Sequence, residues 1–402
     1  MNILVSRTDR AGDVILTLPV FQALRRWRPD AHLTAHVRSY TAPLLAGHPA
    51  VDAVVLDDGP MATLPAGRQP RGAQSGRALP GDPPGESALS GNLPARPAGP
   101  SGNPFGNTRP EAGHRQAARP PGPRPSLLHL AATLRRRGFD AAVVVHPTAR
   151  AILACWLAGI PLRAGRASNL WQCGLTHGLA QHRSRNERHE SAYNVDLVAP
   201  LGCPPAWEPP RLAPSATSLA AGREALRRAG LGEARPVFVH PGHGGSAVNL
   251  PLAGYRTLVG RLLADGRTVA ITLGPGEAAL AGEFPPPQAG RFGVVADTPD
   301  LGFLQGLLAH GSGFLGGSTG PMHLAAALGV PTVAFFPLLP AMTPRRWGPC
   351  GPHTLVVQPA DQACPGRCAG CRRGNCLATV DPGPPLAWLA AMADHPPPGG
   401  LT

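Results

Sequence analysis

GGSTGPMHLAAALGVPTVAFF, Gly316 to Phe336, carries the mark of an α/β sheet. A short apolar run ends in a glycine pair, two hydroxyl residues follow, an alanine-rich segment holds a histidine, and a β-branched run closes the stretch. Strand, tight turn, helix and strand in that order form the repeating unit of a parallel sheet. Such turns also hold anions, because backbone N–H groups and the positive end of the helix dipole converge there. Ser318 or Thr319 is expected to cap the helix and Gly320 to let the backbone approach a ligand closely. His323, about one turn in, is expected to point back toward the same anion; the alternative is a satisfied structural residue on an apolar helix face.

The same unit repeats elsewhere. PVFVHPG, TVAITLG and GVVAD read as strands separated by helical segments, one of them beginning near Pro251, and join GFLGG and PTVAFF in one sheet. Nearer the N-terminus NILVS, LTAHV and AVVVH read as buried strands of another sheet, with helices over Val20 to Arg28 and Leu127 to Arg137. A proline-rich joint, GCPPAWEPPRLAPS, divides the two sets. The expected fold is therefore α/β, with two Rossmann-like doubly wound domains, 1–205 and 206–360, facing a central cleft. A cysteine-rich tail and a C-terminal helix are expected over 361–402. Ligands of such sheets bind outside the carboxyl ends of the strands, which makes the cleft the expected site.

At 402 residues the chain can build two or three domains. Its 43% apolar and 15% charged residues are a globular balance, but 50 Gly and 50 Pro point to a low-complexity portion. That portion is Gly59 to Ser126, where 68 positions hold 15 Pro, 12 Gly and eight Arg against three acids. Such a segment cannot bury enough apolar surface to offset its ordering entropy, and it reads as a disordered or loosely held insertion. The net charge of +13 suits anionic partners such as nucleotide sugars or an anionic lipid surface. Nucleic acid is the weakest candidate, for want of a basic helix or an aromatic platform. The N-terminal apolar run is broken by Arg7, Asp9, Arg10 and Asp13 too early for a signal peptide, and no run reaches the roughly 18 apolar residues of a membrane span. A cytoplasmic protein with reduced thiols is expected.

Two further turns carry candidate chemistry. In SRTDRAGDVILTLP, Gly12 occupies the first βα turn and Asp13 enters the helix. Asp13 can serve as a general base if a hydroxyl comes within hydrogen-bond reach, or as a first-turn acid and nothing more. In the second half, Gly242 to Gly245 and Ser246 form a glycine-rich turn that can present amides to a phosphate or simply reverse the chain. Neither G-x-G-x-x-G nor G-x-x-x-x-G-K-[ST] spacing is present, so NAD and P-loop readings fall. Glu277, in LGPGE at the same edge, can meet a ribose or base, or be an ordinary turn residue.

Taken together, ILVSRTDRAGDVILTLPVFQALRRWRPDAHL, HPGHGGSAVNLPLAGYRTL and FLGGSTGPMHLAAALGVPTVAFF resemble the signature regions of glycosyltransferase family 9, the ADP-heptose:lipopolysaccharide heptosyltransferases. Order and separation match as well, over nearly the whole chain except Gly59 to Ser126. The resemblance implies the GT-B architecture, with acceptor held mainly by the first domain, nucleotide sugar by the second, and a C-terminal helix that returns toward the first. It implies that Asp13 deprotonates the acceptor hydroxyl for attack on the anomeric carbon with inversion, and that Thr319, Gly320 and His323 hold the donor diphosphate. Ser318, Gly244, Gly245, Ser246 and Glu277 fall among the same donor regions. No metal or other cofactor is implied; backbone amides, the helix dipole and basic side chains would carry the leaving-group charge.

Two departures from the family stand out. Val248, Asn249, Leu250 and Pro251 occupy the place of a common Lys-Arg-Trp-Pro run, and Ser318 that of a common Asp or Asn. Without the lysine, the phosphate cation is expected to be Arg7, Arg345 or Arg346. The implied partners are an ADP-sugar donor and a lipopolysaccharide-core, glycolipid or glycan acceptor, contacted near Arg38, Tyr40 and RASNLWQCG. The positive charge would seat the protein against the anionic inner face of the cytoplasmic membrane. Cys364, Cys368, Cys371 and Cys376 have spacing that could satisfy tetrahedral zinc, or serve no metal at all. A non-catalytic nucleotide-sugar or glycan-binding protein and a sugar-nucleotide epimerase or hydrolase on the same scaffold are the rival readings.

Overall fold

The computed structural model describes residues 1–58, 124–244, 248–360, 364, 366, 371 and 375–392. Of the expected insertion, all but 124–126 lies outside the described residues. Strands β1 (Asn2–Ser6), β2 (His32–Val37), β3 (Ala53–Leu56), β4 (Ala141–Val144), β5 (Leu162–Arg166) and β6 (His177–Leu179) form a parallel sheet in the order β3-β2-β1-β4-β5-β6. Strands β7 (Val237–His240), β8 (Val269–Thr272), β9 (Phe292–Val295), β10 (Gly313–Gly317), β11 (Thr332–Phe335) and β12 (Thr354–Val357) form a second, ordered β12-β11-β10-β7-β8-β9. Both have the doubly wound order, with the chain reversing direction across the sheet between β1 and β4 and between β7 and β10. At those switch points the flanking loops part and leave a crevice.

The central strands are buried along nearly their whole length because helices cover both faces. The first sheet carries α1 (Ala11–Ile15), α2 (Leu18–Trp27), α3 (Leu127–Arg137), α4 (Ala149–Leu157) and α5 (Glu190–Asp196). The second carries α6 (Ala216–Arg228), α7 (Leu252–Ala264), α8 (Leu301–Leu308), α9 (Gly320–Ala327), α10 (Pro344–Trp347) and α11 (Gly383–Ala391). Helix α3 starts and stops where its sequence says: the Ser126 hydroxyl accepts from the His129 amide at 3.1 Å, and Gly138 takes the left-handed conformation at φ +62°.

The two sheets share a core. One apolar cluster includes Ile3, Val5 and Leu33 of the first sheet and Phe238, Phe314 and Met322 of the second half. The joint at 203–215 is held from both sides, with Gln22 donating to the Pro209 carbonyl at 3.1 Å and the Leu212 amide donating to Ala327 at 2.9 Å. The C-terminal helix departs from expectation. Leu386 and Leu389 of α11 are buried in the second-half core with Phe292 and Val333, so α11 stays on the second sheet instead of returning to the first. Leu389 fills the space beside Gly313, which has no side chain to oppose it. Among the described residues no helix is long and apolar enough to cross a membrane.

Candidate active site

Asp13 sits at the carboxyl edge of the first sheet, in the single-turn-length helix α1, and its environment is built by β1 and the turn after it. Arg7, only 5% exposed, leaves β1 and donates from Nε to Asp9 at 2.7 Å and from Nη2 to Asp13 at 2.6 Å. Its Nη1 lies 3.9 Å from Glu190 at the start of α5. Burial pushes the Asp13 carboxyl up and Arg7 pulls it down, while Asp9 and Glu190 push it up further; the balance leaves it at about 6. That value suits a group that must be ionised near neutrality yet accept a proton. Burial also works against ionisation of Glu190, but Arg183, Arg7 and Arg346 outweigh it and hold Glu190 below the usual carboxylate range.

The next residue toward the cleft is Gly12, which makes a close contact across the molecule. A methyl group at Gly12 would stand 3.0 Å from the His323 ring and 3.7 Å from the Gly320 backbone, both in α9. The glycine therefore lets the first βα turn of one sheet approach the α9 entrance of the other. His323 is buried, its Nδ1 has no hydrogen-bond partner among the described residues, and burial drives its pKa down to about 3. It is therefore neutral at working pH and can offer an anion a hydrogen bond, not a charge. Thr319 occupies the N-cap position, but no side chain caps α9; the threonine hydroxyl turns toward the Gly317 carbonyl at 3.4 Å. The expected cap by Ser318 or Thr319 is thus not made, because Thr319 bonds backward. The first turn of α9 is left open at the cleft.

A cleft of about 630 Å³ opens there, lined by Arg10, Gly12 and Tyr40 from the first half and by His243, Thr319 and Gly320 among others from the second. Asp13 lies just behind this wall, its side chain 20% exposed. Gly244 and Glu277 also line the cleft, while Gly245 and Ser246 lie outside the described residues. Both oxygens of Glu277 are engaged, accepting from the Gly244 amide at 3.1 Å and the Gly274 amide at 2.8 Å, so its first task is to tie two turns together.

The expected phosphate cations fare unequally. Arg7 is held by Asp9 and Asp13, and Arg346 donates to Glu190 at 3.0 Å and to the Arg183 carbonyl at 3.0 Å. Arg345 is exposed and lies outside the cleft wall. Among the described residues that line the cleft, the guanidinium is that of Arg10, absent from the expected cations; it stands three residues before Asp13 in the same turn, and that adjacency is the available signal. Arg38 and His146 follow β2 and β4, and Arg166 ends β5, at the same edge; Nε of each arginine has no hydrogen-bond partner among the described residues, and His146 Nδ1 lies 3.7 Å from Asp9. Arg38 and the segment from Arg166 onward had been expected to face the acceptor; His146 had not been singled out. Asn249, beside the missing lysine, is a structural pin: it donates to the Pro241 carbonyl at 2.8 Å and accepts from the Tyr255 hydroxyl at 2.7 Å.

Cys364, Cys371 and Cys376 are half-buried free thiols, and Cys368 lies outside the described residues. Among the described residues no three His, Cys, Asp or Glu side chains come together as a metal site.

The model of glycosyltransferase family 9 (heptosyltransferase) matches residues 127–376, more than half of the chain. The chain belongs to glycosyltransferase family 9. A curated Haemophilus influenzae protein with a provisional description as a glycosyltransferase is 28% identical over 360 residues, 87% of this chain and 86% of that one. Solved structures of similar fold include the family 9 glycosyltransferase of Veillonella parvula, with TM-score 0.70, 16% identity, and 98% and 97% of the two chains covered. They also include Escherichia coli ADP-heptose lipopolysaccharide heptosyltransferase II, at 0.67, 18%, and 98% of each chain. E. coli heptosyltransferase WaaC with ADP follows at 0.61, 16%, and 98% and 100%. The two parallel six-stranded sheets are those of the GT-B fold.

Proposed function

We propose that this family 9 glycosyltransferase moves a heptose-like sugar from an ADP-linked donor to a hydroxyl of a lipopolysaccharide-core, glycolipid or glycan acceptor, with inversion. Residues 1–205 take the acceptor side and 206–360 the donor side. The observation that carries the reading is a carboxyl poised at about 6, one residue behind the point where Gly12 meets the open end of α9. The acceptor O–H gives its proton to the Asp13 carboxylate as the oxygen attacks the anomeric carbon. The bond from that carbon to the diphosphate breaks on the opposite face, so a single displacement inverts the centre. ADP leaves with its charge spread over the α9 amides and dipole. Arg10 supplies the phosphate cation in place of the lysine, and neutral His323 supplies a hydrogen bond. The guanidinium nitrogens of Arg38 and Arg166 that have no hydrogen-bond partner among the described residues suit an anionic substituent on the acceptor.

Calorimetric titration with ADP, UDP and GDP tests this assignment. ADP should bind selectively, and Arg10→Ala should weaken it about tenfold, the loss of one charge-assisted hydrogen bond of roughly 1.4 kcal/mol. His323→Ala should weaken it less, and Arg345→Ala not at all. If none of the three nucleotides binds, the donor assignment falls and a glycan-binding protein becomes the better reading.

Residues 124–186 hold nine Arg and a single acid, Asp140, and the same stretch exposes Trp156, Leu170 and Trp171. Basic charge with exposed aromatic and aliphatic side chains supports peripheral contact with an anionic cytoplasmic membrane face. Sedimentation with phosphatidylglycerol vesicles should carry the protein down at low salt and release it at high salt. Equal recovery with neutral phosphatidylcholine vesicles would contradict the contact.

A further inference from the structure

The carboxylate proposed as base does not stand alone with Arg7. Asp9, Asp13 and Glu190 face Arg7, Arg183 and Arg346 in one buried cluster, three carboxylates against three guanidiniums. Five of the six belong to the first half. The sixth, Arg346, comes from α10 of the second half, between β11 and β12, and reaches Glu190 Oε2 at 3.0 Å while its Nη1 donates to the Arg183 carbonyl. Asn186 and His189, on the same side as Glu190, also bond to Pro340 and Gly348 around α10, at 3.1 and 3.0 Å, so this contact between halves is anchored on both sides of the arginine.

We propose that Arg346 is a positioning residue through which the second half sets the charge state of Asp13, acting by way of Glu190 and Arg7. The inference rests on Asp13 being the base. Arg7 spreads its donors over three carboxylates, Nε to Asp9, Nη2 to Asp13 and Nη1 toward Glu190, so a guanidinium drawn closer to Glu190 lengthens its bond to Asp13. With Arg346 in place, Glu190 has Arg183 and Arg346 of its own and makes only a long 3.9 Å approach to Arg7, which is free to bond Asp13 at 2.6 Å. Without Arg346 the carboxylates lose a positive neighbour in direct contact with Glu190, Arg166 facing Glu190 without a bond to it, and the loss favours a proton on Asp13.

The other groups around Asp13 do not replace this control. Tyr40 from the loop after β2 adds no cation, and His323 of α9, packed on Gly12, is neutral. Arg38, His146 and Arg166 stand beyond Arg7 and Asp9, the last facing Glu190 as well. The consequence for the reaction is that the base is charged when the two halves are engaged through α10. A GT-B enzyme whose halves part to release product would then hold a larger share of Asp13 protonated.

The test is a ¹³C NMR titration of the intact protein carrying side-chain-labelled aspartate, with the Asp13 signal assigned by its loss in Asp13→Asn. The wild-type midpoint should lie at about 6. Arg346→Met should raise it by about one pH unit, and Arg346→Lys should bring it back. Glu190→Gln removes a negative neighbour and should move the midpoint the other way, to lower pH. A residue of purely structural importance would not move the midpoint in opposite directions in these two variants. Unchanged midpoints in both would overturn the proposal, as would loss of ADP binding in Arg346→Met with the Asp13 midpoint unmoved, which would return Arg346 to the phosphate. The base assignment is judged separately, by turnover of Asp13→Asn.

Discussion

Replacing Asp13 with asparagine is expected to lower kcat for sugar transfer by about 10³-fold, the scale of a lost general base, and to leave ADP affinity unchanged. The variant should fold, because Arg7 keeps its bond to Asp9 and its approach to Glu190, and the asparagine fills the same space. The pH profile supplies a second reading of the same group. Burial raises the Asp13 carboxyl to about 6, so the reactive carboxylate predominates above that pH and is lost below it. In the wild type, kcat/KM should therefore fall about tenfold per unit on the acid side of 6. His323 should add no limb between 5 and 8, since burial keeps it neutral throughout that range. Transfer by Asp13→Asn at near wild-type rate, or a flat profile through pH 6, would remove Asp13 from the chemistry.

The parts of this protein legible in its sequence are those where one local pattern settles the outcome. GFLGG coincides with β10 and Leu127 to Arg137 with α3, because a fully buried parallel strand is an unbroken apolar run and a helix with Ser before it and Gly after it announces both ends. Strands β3, β5, β6 and β12 are not among the strands read from the sequence; β5 and β6 carry Arg163, Arg166 and His177 and lose the apolar signal, while β3 and β12 are four-residue edge strands too short to stand out. Side-chain commitments were less legible still. Arg7 and Arg346 read as free cations at strand edges, yet each is claimed by carboxylates, Arg7 by Asp9 and Asp13 of its own turn and Arg346 by a glutamate 156 positions away. A residue's charge is visible in the chain; its partner is a property of the fold.

Asn249 is where this gap between residue type and role has the clearest consequence. It stands in the place of a common basic run, yet it is 7% exposed and fully used. Its Nδ2 donates to the Pro241 carbonyl at 2.8 Å, and its Oδ1 accepts from the Leu250 amide at 2.9 Å and the Tyr255 hydroxyl at 2.7 Å. Its own carbonyl accepts from Asn375 at 2.7 Å, and its Oδ1 occupies the space that Gly317 leaves free at the end of β10. One side chain thus fixes the exit of β7 and the last residue before the α9 entrance. Asn249→Leu, nearly the same shape, strands three buried polar groups and should cost about 3 kcal/mol of stability. Because the Pro241 turn leads directly to Gly244 on the cleft wall, ADP binding should weaken with it. Adding Tyr255→Phe removes the one hydroxyl among them and should recover part of the loss, giving a coupling of about 1 kcal/mol in a double-mutant cycle. Denaturant unfolding of the four proteins measures the cycle; full additivity would mean that the Tyr255 bond contributes nothing, and an unchanged midpoint in Asn249→Leu would mean that the loop is braced by other contacts.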